Sequence, residues 1–331
     1  MAFQATRLVA AATASVAGAR RALSMTTAAA AAGGKGGQLA AEVAAAAAAA
    51  AAAVASAKVS TTAPFPLPGP GAPGVVSGDI GGKWVGAVSG ATLNVVDPGS
   101  ETVVAVAPDM GKADTLAAVD AAVAAFPGWA GLAPGERSAR LAAMGELMGT
   151  HKEALAVLLT LEAGKPLEEA RGEIGYAASF FTWFAEEGKR AYGDIIPPHA
   201  ADRRMLALKQ PVGVAALLTP WNFSSAMVTR KLAPALAAGC TAVVRPSPNT
   251  PLSALAVAAL AARAGIPAGV VNVVVGNDHD AIAGTLATHP AVKKVSFTGS
   301  TRVGRLLMEQ SAGTLKKLSL ELGGNAPFIV F

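Results

Sequence analysis

A single cysteine, Cys240, stands in a chain of 331 residues, which excludes an intramolecular disulfide and any cysteine-rich zinc site. The four histidines, His151, His199, His279 and His289, are scattered without an HExxH spacing, so a structural metal is not expected. No acidic residue precedes Glu42, while Arg7, Arg20 and Arg21 lie among Ala, Ser and Thr. That composition is the one expected of an organellar transit peptide, mitochondrial first and plastid second; a secretory signal would have a more continuous apolar centre. Long strongly apolar runs are missing as well. Residues 38–58 are almost pure alanine, but alanine is weakly apolar and Glu42 interrupts the run, so a low-complexity linker is expected despite a mean hydropathy of +0.44. The formal charge of +5 is concentrated in residues 1–60, where five bases face Glu42 alone, leaving the remainder close to neutral. The basic balance therefore reads as an import signal and not as a nucleic-acid-binding surface.

The usual glycine-rich nucleotide signatures are absent too. There is no GxGxxG dinucleotide fingerprint between a strand and a helix, and although Gly299 and Gly304 have the glycine spacing of a P-loop, Arg305-Leu306 occupies the positions that need Lys-Ser or Lys-Thr. What the chain has is length enough for a large core and a regular alternation of elements. Pro64 to Gly74 reads as a Pro/Gly-rich linker. Lys83-Trp84-Val85 and Leu93 to Val96 read as short strands, followed by helices at Asp114 to Phe126 (ended by Pro127-Gly128), Glu136 to Gly149, Lys152 to Glu162 and Leu167 to about Tyr192. From residue 213 onward, apolar strands at 213–218, 241–244, 270–275 and 292–297 alternate with helices at 225–237, 252–264, 280–288 and 300–311. Strands that are apolar throughout and separated by helices predict an α/β fold with a Rossmann-like parallel sheet covered on both faces. In such sheets ligands bind at the carboxyl ends of the strands.

Three of those ends carry Thr219-Pro220-Trp221-Asn222-Phe223, Arg245-Pro246-Ser247-Pro248 and Phe297-Thr298-Gly299-Ser300-Thr301. The last offers backbone N–H groups and a hydroxyl at a helix N-terminus, a natural seat for phosphate. An ordinary N-cap would read the same way in isolation.

In order along the chain, these segments together with Leu161-Glu162-Ala163-Gly164-Lys165-Pro166, Thr229-Arg230-Lys231, residues 234–240 and Glu321-Leu322-Gly323-Gly324-Asn325 resemble the aldehyde dehydrogenase superfamily, most closely its succinate-semialdehyde branch. The likeness runs from about Val76 to Phe331. It implies NAD or NADP as cofactor, a small aldehyde as substrate, and oxidation through a cysteine thiohemiacetal and thioester. By resemblance, the side-chain amide of Asn222 donates to the oxyanion, Glu321 is the base that activates water for thioester hydrolysis, and Lys231 lies near the oxyanion and nicotinamide side. Arg230 holds the far carboxylate of succinic semialdehyde, since a guanidinium is the best fork for one. Thr219, Pro220, Trp221, Gly276, Gly299, Ser300 and Leu322 line the cofactor cleft, and Arg245, Ser247 and Pro248 form its selecting turn. The family's usual Lys-Pro-x-Glu there is replaced by Arg245 and Pro248. Without the glutamate nothing repels a 2′-phosphate and Arg245 attracts one, so NADP is expected to be accepted.

The domain plan that follows has residues 1–76 as transit segment and linker, 77–188 and 212–323 as the NAD(P)-binding unit, 189–211 as an oligomerisation hairpin and 324–331 as the start of a catalytic domain. The family nucleophile follows the Glu-Leu-Gly-Gly segment by roughly 35 residues, beyond Phe331, so this chain is expected to be a fragment that does not oxidise aldehydes alone. Cys240, between a helix and a strand, is expected to be an inert packing residue. A homo-oligomer is expected for the full-length family, and neither a membrane nor a nucleic acid as partner.

Overall fold

The computed structural model describes residues 67 and 75–331; the expected transit and alanine-rich segments lie outside them, apart from Leu67, Val75 and Val76. The chain enters through β1 (Gly78–Ile80) and β2 (Lys83–Val85), then the hairpin of β3 (Thr92–Val96) and β4 (Val103–Pro108). Four helices follow: α1 (Lys112–Ala130), α2 (Pro134–Thr150), α3 (Lys152–Ala163) and α4 (Leu167–Glu187). A second hairpin, β5 (Asp194–Ile196) with β6 (Met205–Ala207), leads into β7 (Val214–Leu218), α5 (Ala226–Ala237), β8 (Thr241–Arg245), α6 (Leu252–Arg263) and β9 (Val271–Val273). A π-helical turn at Asp280–Gly284 runs into α7 (Thr285–Thr288), and β10 (Val292–Thr298), α8 (Thr301–Ala312) and β11 (Lys317–Glu321) complete the order.

Seven strands form one sheet in the order β11-β10-β7-β8-β9-β1-β2, the first five parallel, with β1 antiparallel to β9 and β2 antiparallel to β1 at one edge. The parallel part of this sheet starts at β7, builds outward through β8 and β9, then returns to the other side of β7 for β10 and β11. The reversal between β7 and β10 is the switch point at which open α/β sheets bind ligands. Strand period explains the two cores. In β7, Ala215 and Leu217 point to the face covered by α5 and α6, whereas Val214, Ala216 and Leu218 point to the face covered by α1, α7 and α8. Every residue of β7, β8 and β9 is buried, which is why these strands read as unbroken apolar runs.

The expected elements form, with corrections at their ends. Pro127 does not end α1, which continues to Ala130. The missing N–H costs one hydrogen bond in the last turn, and Trp129, 1% exposed with its Nε1 donating to Leu236 O at 3.1 Å, holds that turn in place. The α4 helix stops at Glu187 and is followed by a 3₁₀ turn at Gly188–Arg190, short of Tyr192. β11 escaped the sequence reading because Lys317–Glu321 is a half-covered edge strand with alternating exposure.

Candidate functional site at the carboxyl edge of the sheet

The register aligns the strand ends: Leu218 pairs with Arg245 and with Phe297, and Thr298 with Glu321. Two further backbone bonds extend that edge beyond the ladder, Thr219 N to Arg245 O at 3.1 Å and Gly299 N to Glu321 O at 3.0 Å. Thr219, Arg245, the Thr298-Gly299-Ser300 turn and Glu321 thus lie side by side; the first three were expected at strand ends, whereas the strand that brings Glu321 there was not.

The β7–α5 loop carries Pro220, Trp221 and Asn222, the last two exposed. Its shape is fixed from below by residues to which the sequence reading gave no role. Lys165 forms an ion pair with Glu173, donates to Asn222 O at 3.0 Å and sits 4.3 Å from the centre of the Phe223 ring. Glu173 Oε1 accepts the amides of Ser225 and Ala226 at 2.9 and 3.1 Å, capping the start of α5. Glu162, buried at the end of α3, does the same for α6, accepting Leu252 N at 2.6 Å and Ser253 N at 3.0 Å as well as the Ser253 hydroxyl. Burial raises the Glu162 carboxyl to about 7 against these hydrogen bonds, which lower it. The signal was available in the pattern: Glu173 falls on the apolar stripe of α4 with Ala170, Ile174, Ala177 and Phe181, and an acid on a buried stripe demands a partner.

On α5, Lys231 is buried and its Nζ donates to Ser296 Oγ of β10 at 3.1 Å. Burial, followed by the neighbouring Arg230, lowers its ammonium to about 8, while Glu321 acts the other way. Arg230 is exposed and leans on α4, with its guanidinium 5.8 Å from the centre of the Phe180 ring and Nη1 3.8 Å from Met227 Sδ. Arg245 is only 7% exposed; its Nη2 donates to Gly276 O and to His279 Nδ1, each at 3.1 Å, and burial pulls it down to about 10. Ser247 shapes the following turn, its Oγ accepting from Asn249 N at 3.3 Å, with Pro248 half-buried beside it. At Gly276 a Cβ would overlap Met110 O, so only glycine fits. Ser300 caps α8, its Oγ accepting from Val303 N at 3.3 Å, and Leu322 packs over Gly304. Glu321 is exposed at the end of β11.

Among the described residues, seven buried side-chain atoms lack a hydrogen-bond partner, and three of them, Thr219 Oγ1, Arg245 Nε and Thr298 Oγ1, close the ends of the adjacent strands β7, β8 and β10. Cys240 is buried and precedes β8, at the opposite, amino edge of the sheet. No group of three or more His, Cys, Asp or Glu among the described residues has the arrangement of a metal site, and no single helix among them is long and apolar enough to cross a membrane.

A parallel sheet with a switch point and unpaired donors along its carboxyl edge defines a doubly wound, Rossmann-like α/β protein. Residues 84–331 match the sequence model of the aldehyde dehydrogenase family, and the chain belongs to that family. It is 56% identical over 252 residues to the succinate-semialdehyde dehydrogenase [NADP(+)] of Escherichia coli, covering 76% of this chain and 52% of that protein. To the mitochondrial succinate-semialdehyde dehydrogenase of Arabidopsis thaliana it is 54% identical, covering 77% of this chain and 48% of the relative. The crystal structure of succinate-semialdehyde dehydrogenase from Burkholderia pseudomallei superposes with a TM-score of 0.75 at 54% identity, over 77% of this chain and 53% of that one. The chain thus spans about half the length of the relatives it matches.

Proposed function

We propose that this chain is the cofactor-binding part of an NAD(P)-dependent aldehyde dehydrogenase acting on a short aldehyde with an anion at its far end, succinic semialdehyde first, and that NADP is accepted at least as well as NAD. The observation that carries the reading is the row of unpaired buried donors at Thr219, Arg245 and Thr298. It suits a ligand rich in hydroxyl and phosphate oxygens, and the capped N-terminus of α8 at Ser300 adds a second phosphate seat. When bound, the cofactor supplies a nicotinamide ring that accepts hydride from the aldehyde carbon.

The chain's own residues divide the remaining work. Thr219, Pro220, Trp221, Gly276, Gly299, Ser300 and Leu322 form the walls of the cleft, where Gly276 and Gly299 let the backbone pack against Met110 and the Phe297 ring. Arg245, Ser247 and Pro248 receive the adenosine ribose, with a cation and no carboxylate facing its 2′ position. Asn222, on a loop clamped by Lys165 and Glu173, points a preorganised amide donor at the oxygen that gains charge. Lys231 adds a cation beside the same end, and Glu321 takes a proton from the hydrolytic water. Arg230, stacked against Phe180, forks onto the distal carboxylate. Cys240, buried at the amino edge of the sheet, lies at the opposite end of the strands from these residues and is not assigned the role of thiolate. Residues 1–76 are read as directing the chain to the mitochondrion, with the plastid as the alternative, and the β5–β6 hairpin as the surface for homo-oligomers.

Equilibrium titration of the chain with NADPH and NADH tests the cofactor reading. Saturable binding of both, with NADPH at least as tight, is expected; NADH bound more than about tenfold more tightly than NADPH refutes the 2′-phosphate argument. Succinate, titrated onto the NADPH complex, should bind the wild type and be lost with Arg230→Ala. Unchanged succinate binding in that variant would remove the case for the substrate class.

A further inference from the structure

The cofactor reading leaves unexplained why Arg245, a fully formed cation, is held so deeply at the end of β8. Its Nη2 is committed twice, to the main-chain carbonyl of Gly276 and to Nδ1 of His279, both at 3.1 Å, while Nε has no partner. A guanidinium has no acceptor, so Nδ1 must present its lone pair and the imidazole proton must sit on Nε2. Burial and the adjacent Arg245 both keep the ring below its ordinary pKa, and hence neutral, despite Asp278 and Asp280 on either side.

The segment that carries His279 is itself rigidly set. Gly276 packs against Met110 O where no side chain fits. Asn277 N donates to Asp109 Oδ1 at 2.7 Å, and Ala281 N to Asp278 Oδ1 at 2.9 Å. A π-helical turn then begins at Asp280, with Ile282 fully buried behind it. Such turns are rare and concentrate at functional positions. Here the turn places the imidazole over the end of β8.

We propose that His279 is a specificity-positioning residue: with Gly276 O it pins one end of the Arg245 guanidinium, so that the uncommitted donors of that group are offered to the 2′-phosphate of NADP. The inference rests on the reading that Arg245 meets the adenosine ribose. It adds that a histidine outside every motif of the sequence sets the choice between the two cofactors. A pinned fork loses less freedom on binding a phosphate than a free one, so the contribution falls on NADPH and leaves NADH untouched.

The test is titration of the chain and three variants with NADPH and with NADH, NADH serving as the control for an intact fold. His279→Ala should weaken NADPH about tenfold and keep NADH within about twofold, the loss of one preorganised charge-assisted contact. His279→Gln, whose carboxamide oxygen can accept from the same guanidinium, should recover most of the NADPH affinity. Arg245→Ala should lose at least as much NADPH affinity as His279→Ala. If His279→Ala leaves the NADPH-to-NADH ratio unchanged while Arg245→Ala lowers it, His279 has no positioning role and the proposal fails alone. An unchanged ratio in both variants overturns the reading of Arg245 as well. Tighter NADPH binding in His279→Ala would mean that the histidine withholds the guanidinium, and that also overturns the proposal.

Discussion

Replacing Glu173 by alanine should cost this fold about 4 kcal/mol, far more than replacing its partner Lys165 by methionine. The asymmetry follows from what each removal leaves behind. Glu173 is 1% exposed and accepts the Ser225 and Ala226 amides in addition to the lysine. Without it, two amides at the start of α5 and a nearly buried ammonium lose their acceptor together, close to the cost of a broken buried pair. Lys165 is 13% exposed, and its loss leaves a carboxylate that still has two main-chain donors at a helix N-terminus, so about 2 kcal/mol is expected. In the double variant the two effects should not add, with a coupling of about 2 kcal/mol. Urea denaturation followed by far-UV circular dichroism measures the stabilities, and thermal melting should fall by about 10 °C for Glu173→Ala. The exposed Trp221, one residue before the Asn222 carbonyl that Lys165 holds, reports the loop: its fluorescence should change in the folded state of both variants. A loss below about 1 kcal/mol for Glu173→Ala, or an equal loss for the two single variants, would refute the view that this pair clamps the loop.

Three more outcomes follow from buried or exposed groups elsewhere. Burial pushes the Asp79 carboxyl up to about 6 and leaves Oδ1 without a partner, so the fold binds its proton in a range where the unfolded chain has released it. Its cost is absent below about pH 4, grows as pH rises to about 6 and is then full at about 3 kcal/mol, so Asp79→Asn should stabilise the protein at pH 7 but not at pH 4 by urea denaturation. Lys231 has the opposite sign: its folded ammonium lies near 8, below the unfolded value, so the cost is present at pH 7 and fades as pH rises past 8. Lys231→Met should therefore stabilise by about 2 kcal/mol at pH 7 after the lost Ser296 contact is counted, and by less at pH 10. On the β5–β6 hairpin, Ile195 and Leu206 are cross-strand partners, 85% and 63% exposed, and Ile195→Glu with Leu206→Glu should shift sedimentation toward monomer without altering NADPH affinity.

The fold was legible where local chemistry and tertiary environment agree. Val214–Leu218 and Thr241–Arg245 are buried on both faces, so their apolar runs announced a parallel sheet. The carboxyl ends of those strands are where the candidate site was then sought. Pro127 misled because its penalty is local, while the burial of Trp129 that overrides it depends on Leu236, more than a hundred residues away. β11 stayed hidden because its alternation is that of a half-exposed edge. The motif residues Thr219, Asn222, Lys231, Arg245, Gly299 and Glu321 could be named from sequence, since their neighbours along the chain identify them. Lys165, Glu173 and His279 could not be given roles, because what each does is set by contacts at separations of 8 to 57 residues, invisible until the chain is folded.

Hydrogen–deuterium exchange of the chain with and without NADPH tests the central claim most directly. The account predicts slowed exchange confined to three segments at the carboxyl edge, residues 219–226, 245–250 and 299–304, with the β5–β6 hairpin unchanged. Unaltered exchange in all three, or protection centred instead on the shallow hollow formed by Lys112, Thr285, His289 and Gln310, would contradict it.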